Sequence, residues 1–462
     1  MNTNNKYGTL SIALLWPALA WGQHNHEGHQ VTEHQSEKST VKADSGSMHH
    51  NHGGMAMTMS HLYSRNLPMN RNASGTAWHP DQTPMYMYMK HSKSGWMTMA
   101  HYSVFLRHTN QNFTNPGGKG REQRVDAPNW FMGMAQRNVG KRGLLVFKAM
   151  ISLDPFTVGK AGYPLLFQSG ESYRGQPLID RQHQHDLFSE LSVGYSYAFS
   201  PKADAFLYVG FPGEPALGPP AFMHRISSFN NPDSPLGHHW TDATHITFGV
   251  ATAGVRYGMV KLEVSSFTGR EPDEKRLGFD TPRFDSYSYR VSVNPTSSLA
   301  FQFSQGLLRN PEVLHPGDVR RTTASVLHSV SLSGSPDHYV TSAVVWGRNG
   351  HDGENENAYL AETSLQWGRL AVYGRYENVT KSAEELGIIN DEAGTTNDRP
   401  TNVDNVTLGL NYRLVRYRST DLVAGTQLTA GMPDQFLQRY YGKTPLSGQI
   451  YVRLTPSLIR TR

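Results

Sequence analysis

The chain alternates short and long connections between segments in which apolar and polar residues take turns. From residue 96 onward we place sixteen segments of strand length. They lie near residues 96–108, 129–139, 142–152, 185–199, 203–211, 243–257, 258–267, 284–294, 297–306, 320–332, 337–348, 357–367, 369–379, 403–414, 418–429 and 447–455. Side chains on a strand point to opposite sides in turn, so each segment offers one apolar and one polar face.

The connections between these segments indicate the type of sheet. Tight turns, such as those at Gly140, Gly258 and Gly368, alternate without exception with long connections that include 153–184, 212–242 and 349–356. Outer-membrane barrels have short turns on one side and long loops on the other, whereas a soluble β-sandwich has no reason to alternate in this way. The sequence predicts an all-β fold: a transmembrane antiparallel β-barrel of about sixteen strands with a disordered N-terminal tail.

The two faces of the predicted strands fit this barrel. In residues 260–265, valine and leucine alternate with lysine, glutamate and serine, and residues 299–304 repeat the pattern. The apolar face would meet lipid and the polar face the lumen. The alternation slips around Gly254 and His328, which predicts either bulges or a shifted register there.

The N-terminal hundred residues divide into three parts before the barrel at 96–462. Residues 1–22 have the features of a signal peptide, with Lys6, an apolar stretch and a small-residue cleavage pattern at Ala18–Ala20. Residues 23–60 form a His/Met-rich tail. We interpret residues 61–95 as a plug or a lead-in hairpin.

Composition excludes several classes of function. The chain has no cysteine, which rules out disulfides and thiolate metal sites. Its formal charge is +5, but no basic cluster with interleaved aromatic residues appears, so we predict no nucleic-acid partner. Charges of both signs on the lumen faces predict a wet, internally paired interior.

Methionine and histidine are concentrated near the N-terminus. Thioether sulfur suits Cu(I), and imidazole also binds Cu(II), so mixed Met/His tracts without cysteine favour copper over zinc. The candidate ligands in the tail are His24, His26, His29, Met48, His49, His50, His52, Met55, Met57, Met59 and His61. The alternative is a polar spacer whose histidines are incidental.

Further candidate ligands lie within the barrel. Met97, Met99 and His101 share one face of the first strand, which we predict to be the lumen face. The next two strands carry Met132, Met134 and Met150, which could extend this face into a sulfur-lined patch. The alternative is that methionine fills packing positions there as an adaptable apolar residue.

A second group of histidines lies in the predicted outer loops, where the ring nitrogens could converge on a metal ion. Solvated loop residues with no ligand are the alternative. The group consists of His183, His185, Asp186, His224, His238, His239, Asp242 and His245.

The sequence gives no support for an enzyme. It contains no Gly-x-Ser-x-Gly elbow, phosphate-binding loop or His-Glu-x-x-His motif. His328 and Ser329 are adjacent on a strand and point to opposite sides, so they cannot act together as base and nucleophile. We predict a protein that is not an enzyme.

An exported Met/His-rich tail, with Met48-His49-His50-Asn51-His52 followed by alternating methionines and then a barrel, resembles the outer-membrane proteins of bacterial copper-resistance operons. The stretch 181–188 is similar to barrels that accompany heavy-metal efflux systems. The resemblance implies an outer-membrane protein with its tail in the periplasm, where the tail binds copper for sequestration or transport. No cofactor is required, and copper is the expected bound ion.

The partners expected from this interpretation are outer-membrane lipid, metal ions and periplasmic metal-efflux components. Two other functions remain open. One is a general diffusion porin or structural barrel with no metal role. The other is an outer-membrane hydrolase.

Overall fold

The computed structural model describes residues 60–351, 353–388 and 399–459. Sixteen antiparallel strands, which we number β1 to β16, form a closed barrel. They are β1 Trp96–Gln111, β2 Asn129–Val139, β3 Gly143–Ile151, β4 Phe188–Ser200, β5 Ala203–Gly210, β6 Val250–Tyr257, β7 Val260–Phe267, β8 Ser286–Thr296, β9 Leu299–Leu308, β10 Val319–Ser331, β11 His338–His351, β12 Glu354–Trp367, β13 Leu370–Ser382, β14 Pro400–Tyr417, β15 Thr420–Pro433 and β16 Leu446–Pro456.

The first and last strands close the barrel. Residues 104–110 of β1 pair with residues 448–454 of β16. The short strand Tyr88–His91 pairs with the start of β1, next to the part of β1 that pairs with β16. It therefore takes the place that a longer β16 would have in the sheet. The strand Glu122–Asp126 pairs with the other end of β1 and extends the position of β2.

All sixteen predicted strands are present, which confirms the predicted fold class. The strict alternation of connections is wrong at one point, because only residues 352 and 353 separate β11 from β12 where we predicted a long connection over 349–356. Residues 349–351 and 354–356, which we assigned to that connection, pair with one another as the ends of the two strands. Two predicted strands also begin later than expected, at Phe188 and Val250.

The predicted irregularities at Gly254 and His328 are absent, since both residues pair in unbroken register. Gly254 interrupts the sequence pattern because the ring of Phe206, on the neighbouring strand, occupies the space that a side chain would need. The break in the apolar–polar alternation at Gly254 therefore results from close packing on the inner face of the barrel.

The outer surface of the barrel is apolar. Leu262 and Val264 on β7 are 50% and 59% exposed, whereas Lys261 and Glu263 between them are each 2% exposed. Aromatic residues such as Tyr197, Tyr257, Trp367 and Tyr417 lie near the short-turn ends of the strands and face outward. A polar interior with an apolar, aromatic-edged exterior is the arrangement of an outer-membrane barrel.

A segment that precedes the barrel lies inside it. Residues 60–83 contain the paired strands Ser60–His61 and Ser64–Pro68 and the 3₁₀ turn Met69–Arg71. Ser64 donates a hydrogen bond to Asp204 on β5 (2.7 Å), and Lys148 on β3 donates to the Gly75 carbonyl (2.9 Å). This inner segment therefore occupies lumen space beside strands β3 to β8.

The connection between β5 and β6 also folds inward. Within residues 211–249, Arg225 bonds Glu362 on β12 (2.6 Å), and Asp233 accepts a bond from Arg107 on β1 (2.7 Å). The Gly218 amide donates to Ser304 on β9 (2.8 Å). This inward loop reaches strands on opposite sides of the barrel and, with residues 60–83, fills much of the lumen.

Many charges inside the barrel are paired, in line with the prediction from the mixed signs. Lys148 lies 2.7 Å from Glu190, and Arg375 lies 3.1 Å from Glu362. Buried charges of both signs lie on the described strands, for example Lys261 beside Glu263 on β7, in contrast to the one-sign ring of a strongly ion-selective constriction.

The remaining regular elements are short. The helices are α1 Asp154–Thr157, α2 His238–Thr241 and α3 Gln438–Tyr441, and Ala243–His245 forms a second 3₁₀ turn. Two small hairpins pair Tyr163–Pro164 with Arg181–Gln182 and Ser172–Tyr173 with Gln176–Pro177. In the described ranges, no helix has the length and apolar character needed to cross a membrane.

Candidate metal-binding interior

The predicted tail ligands from His24 to Met59 lie outside the described residues. His61 is described and is buried in the inner segment. Its Nδ1 accepts a hydrogen bond from the Tyr63 amide (3.0 Å), and its ring lies edge-on to Trp78. Apart from this hydrogen bond, the neighbours of its ring are the aromatic rings of Tyr63 and Trp78.

The predicted methionines of the first three strands lie together on the inner wall. Strand pairing places them in rows, because directly opposite residues of an antiparallel pair point to the same face, with Cβ atoms about 5 Å apart. In one row Met99 lies between Met89 and Met134. In the next row Met132 lies between His101 and Met150.

A third row begins at the short-turn end of β1, where Met97 pairs with His91 on one side and Gln136 on the other. Successive rows are two residues apart along β1, which is about 7 Å at the usual rise of a strand. Sulfur and imidazole donors thus continue up the wall from His91 to His101.

These rows are part of a larger group that we call the methionine cluster. Ten of the twelve methionines in the described part of the chain belong to it or pack against it. They are Met69, Met85, Met87, Met89, Met97, Met99, Met132, Met134, Met150 and Met223. The two others, Met259 and Met432, are exposed.

His101 connects the methionine cluster to the inward loop. Its ring centroid lies 5.6 Å from that of Trp130 and 6.0 Å from that of His224. Its Nε2 atom is buried and has no hydrogen-bond partner among the described residues. His224, which we grouped with the outer histidines, therefore lies beside His101 instead.

The other predicted outer histidines converge. Neighbouring ring centroids among the five lie 5.2–6.4 Å apart. We call this group the histidine cluster; it consists of His183, His185, His238, His239 and His245. It forms because α2 and the following 3₁₀ turn, both in the inward loop, pack against residues 183–185.

Acceptors hold the rings of the histidine cluster in place. The Nδ1 atom of His185 bonds Asp154 (2.9 Å), and that of His238 bonds Asp242 (2.7 Å). The Nδ1 atom of His245 bonds the main-chain oxygen of Asp242 (2.8 Å). Because carboxylates and carbonyls can only accept these hydrogen bonds, each Nδ1 is the donor, and in the neutral form of each ring Nε2 presents a lone pair.

His183 and His239 differ from these three. Both ring nitrogens of His183 are engaged, with Nδ1 at the Gln184 carbonyl and Nε2 3.0 Å from Glu171. Burial opposes the charged form of His239, but the Glu271 carboxylate outweighs burial and raises its pKa. By contrast, burial lowers the pKa of His238 and lowers that of His245 to about 3, so both rings are neutral near pH 7.

Two cavities lie near the histidine cluster. An outer vestibule of about 660 Å³ is lined by seven acidic residues, including Glu171 and Glu271, against three lysines and arginines. A smaller cavity of about 50 Å³ is bordered by His185, Phe222, Met223 and Trp130. The small cavity touches residues beside both the histidine cluster and the methionine cluster.

No three His, Asp or Glu side chains in the described ranges already surround a common point in the way that an occupied metal centre requires. The two clusters bring potential ligands together, and ligation would require the rings and thioethers to turn toward an ion.

Several residues of these clusters were not among our sequence-based candidates. Met85, Met87 and Met89 alternate in the sequence, and this alternation could have placed them on one face. His91 pairs with Met97 only because residues 88–91 continue the position of β16. Met223 depends on the inward fold of residues 211–249, for which the sequence carries no periodic pattern.

No protein-family model and no curated protein matches the sequence. Among solved structures, OprB of Pseudomonas putida is 9% identical, covers 78% of this chain and 94% of its own, and has a TM-score of 0.48. OmpF of Salmonella typhi is 10% identical over 80% of this chain and 99% of its own, with a TM-score of 0.47. An anion-selective porin from Comamonas acidovorans is 12% identical over 78% and 99%, with a TM-score of 0.44.

Proposed function

We propose that this outer-membrane barrel binds copper and passes it along the inner wall of the barrel. The observation that carries the proposal is the methionine cluster, with its rows of sulfur and imidazole on β1 to β3. Thioethers are neutral, soft donors that suit Cu(I). Successive rows about 7 Å apart would give an ion a series of similar sites between which it can move.

Packing alone is a weak explanation for so many methionines. Burying methionine costs more side-chain entropy than burying leucine or isoleucine, by about 1 kcal/mol per residue. An apolar contact between the inner segment and the wall needs no sulfur. Among the described residues, methionine is concentrated inside and only Met259 and Met432 are exposed, which favours a role for the thioether itself.

The rows of methionine and histidine on β1 to β3 begin at the end of the barrel that fits entry of copper from the periplasm. Short turns of outer-membrane barrels face the periplasm, and His91 and Met97 lie at the short-turn end of β1. We propose that the Met/His-rich tail collects copper on this side and delivers it to His91 and Met97. Periplasmic metal-efflux components are the proposed source of the ion.

The test replaces sulfur while keeping volume. In the full-length protein, Met99, Met132 and Met134 are changed together to leucine, a substitution that usually costs less than about 1.5 kcal/mol per site. We expect this variant to bind fewer Ag(I) ions, used as a redox-stable substitute for Cu(I), in titrations against a competing chelator. We also expect slower Ag(I) passage into vesicles that contain the variant.

Met259→Leu with Met432→Leu provides the matched control, because both residues are exposed on the outside. This control variant should bind and pass Ag(I) as the unchanged protein does. Equal binding and equal passage by all three proteins would contradict the proposal and leave a barrel whose methionines only pack.

A further inference from the structure

We propose that His185, His238 and His245 form a second metal site, which binds a divalent ion of borderline hardness such as Cu²⁺ through the three Nε2 atoms. The site deepens the proposed function and rests on it for its biological meaning. Its binding chemistry is independent of the methionine cluster, because imidazole rather than thioether supplies the ligands.

His245 lies close enough to each of the two other rings for shared ligation. The His245 ring centroid lies 5.2 Å from that of His238 and 5.6 Å from that of His185. With metal–nitrogen bonds of about 2.0–2.1 Å, two rings on one ion have centroids roughly 5–6 Å apart. Ligation would require side-chain adjustments that keep the three Nδ1 hydrogen bonds.

The hydrogen bonds select the tautomer that a metal needs. Each Nδ1 donates to an acceptor, which directs the lone pair of Nε2 away from that acceptor. Metal-bound histidines almost always have such a partner on the second nitrogen, which fixes the ring and raises its basicity. Asp242 serves two rings, His238 through its carboxylate and His245 through its main-chain oxygen.

An unsatisfied atom points to a missing partner at this place. Within the described residues, Nε2 of His245 is buried without a hydrogen-bond partner, and the residue is 9% exposed. A buried acceptor without a partner is costly. Phe222 packs against the rings of His185, His238 and His245 and limits the space around them.

Charge favours a cation at this end of the barrel. The acidic vestibule is separated from the three histidines by Glu171 with His183 and by Glu271 with His239. A cleft lined mainly by one sign of charge raises the local concentration of ions of the opposite sign. We infer that divalent ions reach the three-histidine site from the vestibule.

The test uses asparagine, whose side-chain amide can replace the Nδ1–H donor but supplies nothing at Nε2. His185→Asn, His238→Asn and His245→Asn are each made in a full-length chain whose seven histidines between His24 and His52 are alanine. The parent chain should bind one Cu²⁺ tightly, with nitrogen ligands visible by electron paramagnetic resonance. Each variant should weaken this binding at least about 100-fold, since even loss of a partner of a ligand costs 10–100-fold.

His79→Asn is the matched control. His79 also bonds a carbonyl through Nδ1, at Asn72 (2.9 Å), and its Nε2 is also buried without a partner among the described residues. It lies in the inner segment and not in the histidine cluster, so Cu²⁺ binding should be unchanged. Retained heat-modifiable migration in gels shows that each variant has folded.

The outcomes separate this site from the proposed function. Absence of tight Cu²⁺ binding in the parent chain, or equal binding by folded parent and Asn variants, would overturn the three-histidine site. Ag(I) binding that remains sensitive to Met99→Leu in the same chain would leave the proposed function standing. If Met99→Leu left Ag(I) binding unchanged while Cu²⁺ binding was intact, the proposed function would be overturned and the three-histidine site would stand.

Discussion

Gly254 is an example of one residue that determines how closely the inner face can pack. It faces inward on β6, and a methyl group added there would collide with the ring of Phe206. We expect Gly254→Ala to lower the free energy of unfolding by about 1–3 kcal/mol, as other overpacked sites do. Urea unfolding in detergent, followed by tryptophan fluorescence, would measure the change.

Gly133→Ala is the corresponding control, because no atom lies within 4 Å of a side chain added at Gly133. Stability should be unchanged or slightly higher, since alanine reduces the freedom of the unfolded chain. If both substitutions destabilised the barrel equally, contact with Phe206 would not be the reason for glycine at position 254.

At the scale of elements, the inner segment is attached to the barrel through a buried charged group on β7. Glu263 accepts hydrogen bonds from Thr76 of the inner segment (2.5 Å) and from Arg290 (2.9 Å), and Lys261 lies 3.1 Å away. Two buried cations therefore share one carboxylate, and the inner segment is bonded to the same group.

We expect Glu263→Gln to destabilise the folded barrel by about 3–5 kcal/mol, because it leaves Lys261 and Arg290 without their counterion. The temperature at which the folded form is lost in SDS gels should fall. Glu354→Gln, on an exposed residue of β12, should leave that temperature unchanged. A variant at position 263 as heat-stable as the control would show that the pairing contributes little.

The sequence predicted the elements better than their assembly. Sixteen strands were found because a two-residue apolar period is a local property that survives in every strand. The segment 349–356 was misjudged because its glycines and polar residues resemble a loop, although residues 349–351 and 354–356 belong to paired strands. The histidine cluster depended on two distant segments, 183–185 and 238–245, and on a loop folded into the lumen. A loop that folds into the lumen has no periodic sequence pattern by which it could be predicted.

The filled lumen distinguishes a barrel that passes copper along its inner wall from a general diffusion porin. Barrels of sixteen strands leave an aqueous channel when nothing occupies them. Here residues 60–83 and 211–249 both bond to the inner wall. We expect single-channel conductance in planar bilayers at least about tenfold below that of an open sixteen-stranded porin.

The matched measurement for conductance uses Glu263→Gln in the same bilayers. Loosening the inner segment should increase the frequency of brief openings, whereas Glu354→Gln should behave like the unchanged protein. A large, steady conductance of the unchanged protein would favour the general porin and would argue against a route confined to the inner wall.

The seam between β1 and β16 has a consequence for the order of folding. It joins residues 104–110 to residues 448–454, so the ring cannot form until nearly the whole barrel sequence is available. Contacts so distant in sequence form slowly. The inner segment lies shortly before β1 in the chain, and it bonds to strands that come much later, such as β5 and β8. It can therefore serve as a template on which β3 to β8 assemble before the two ends of the sheet meet.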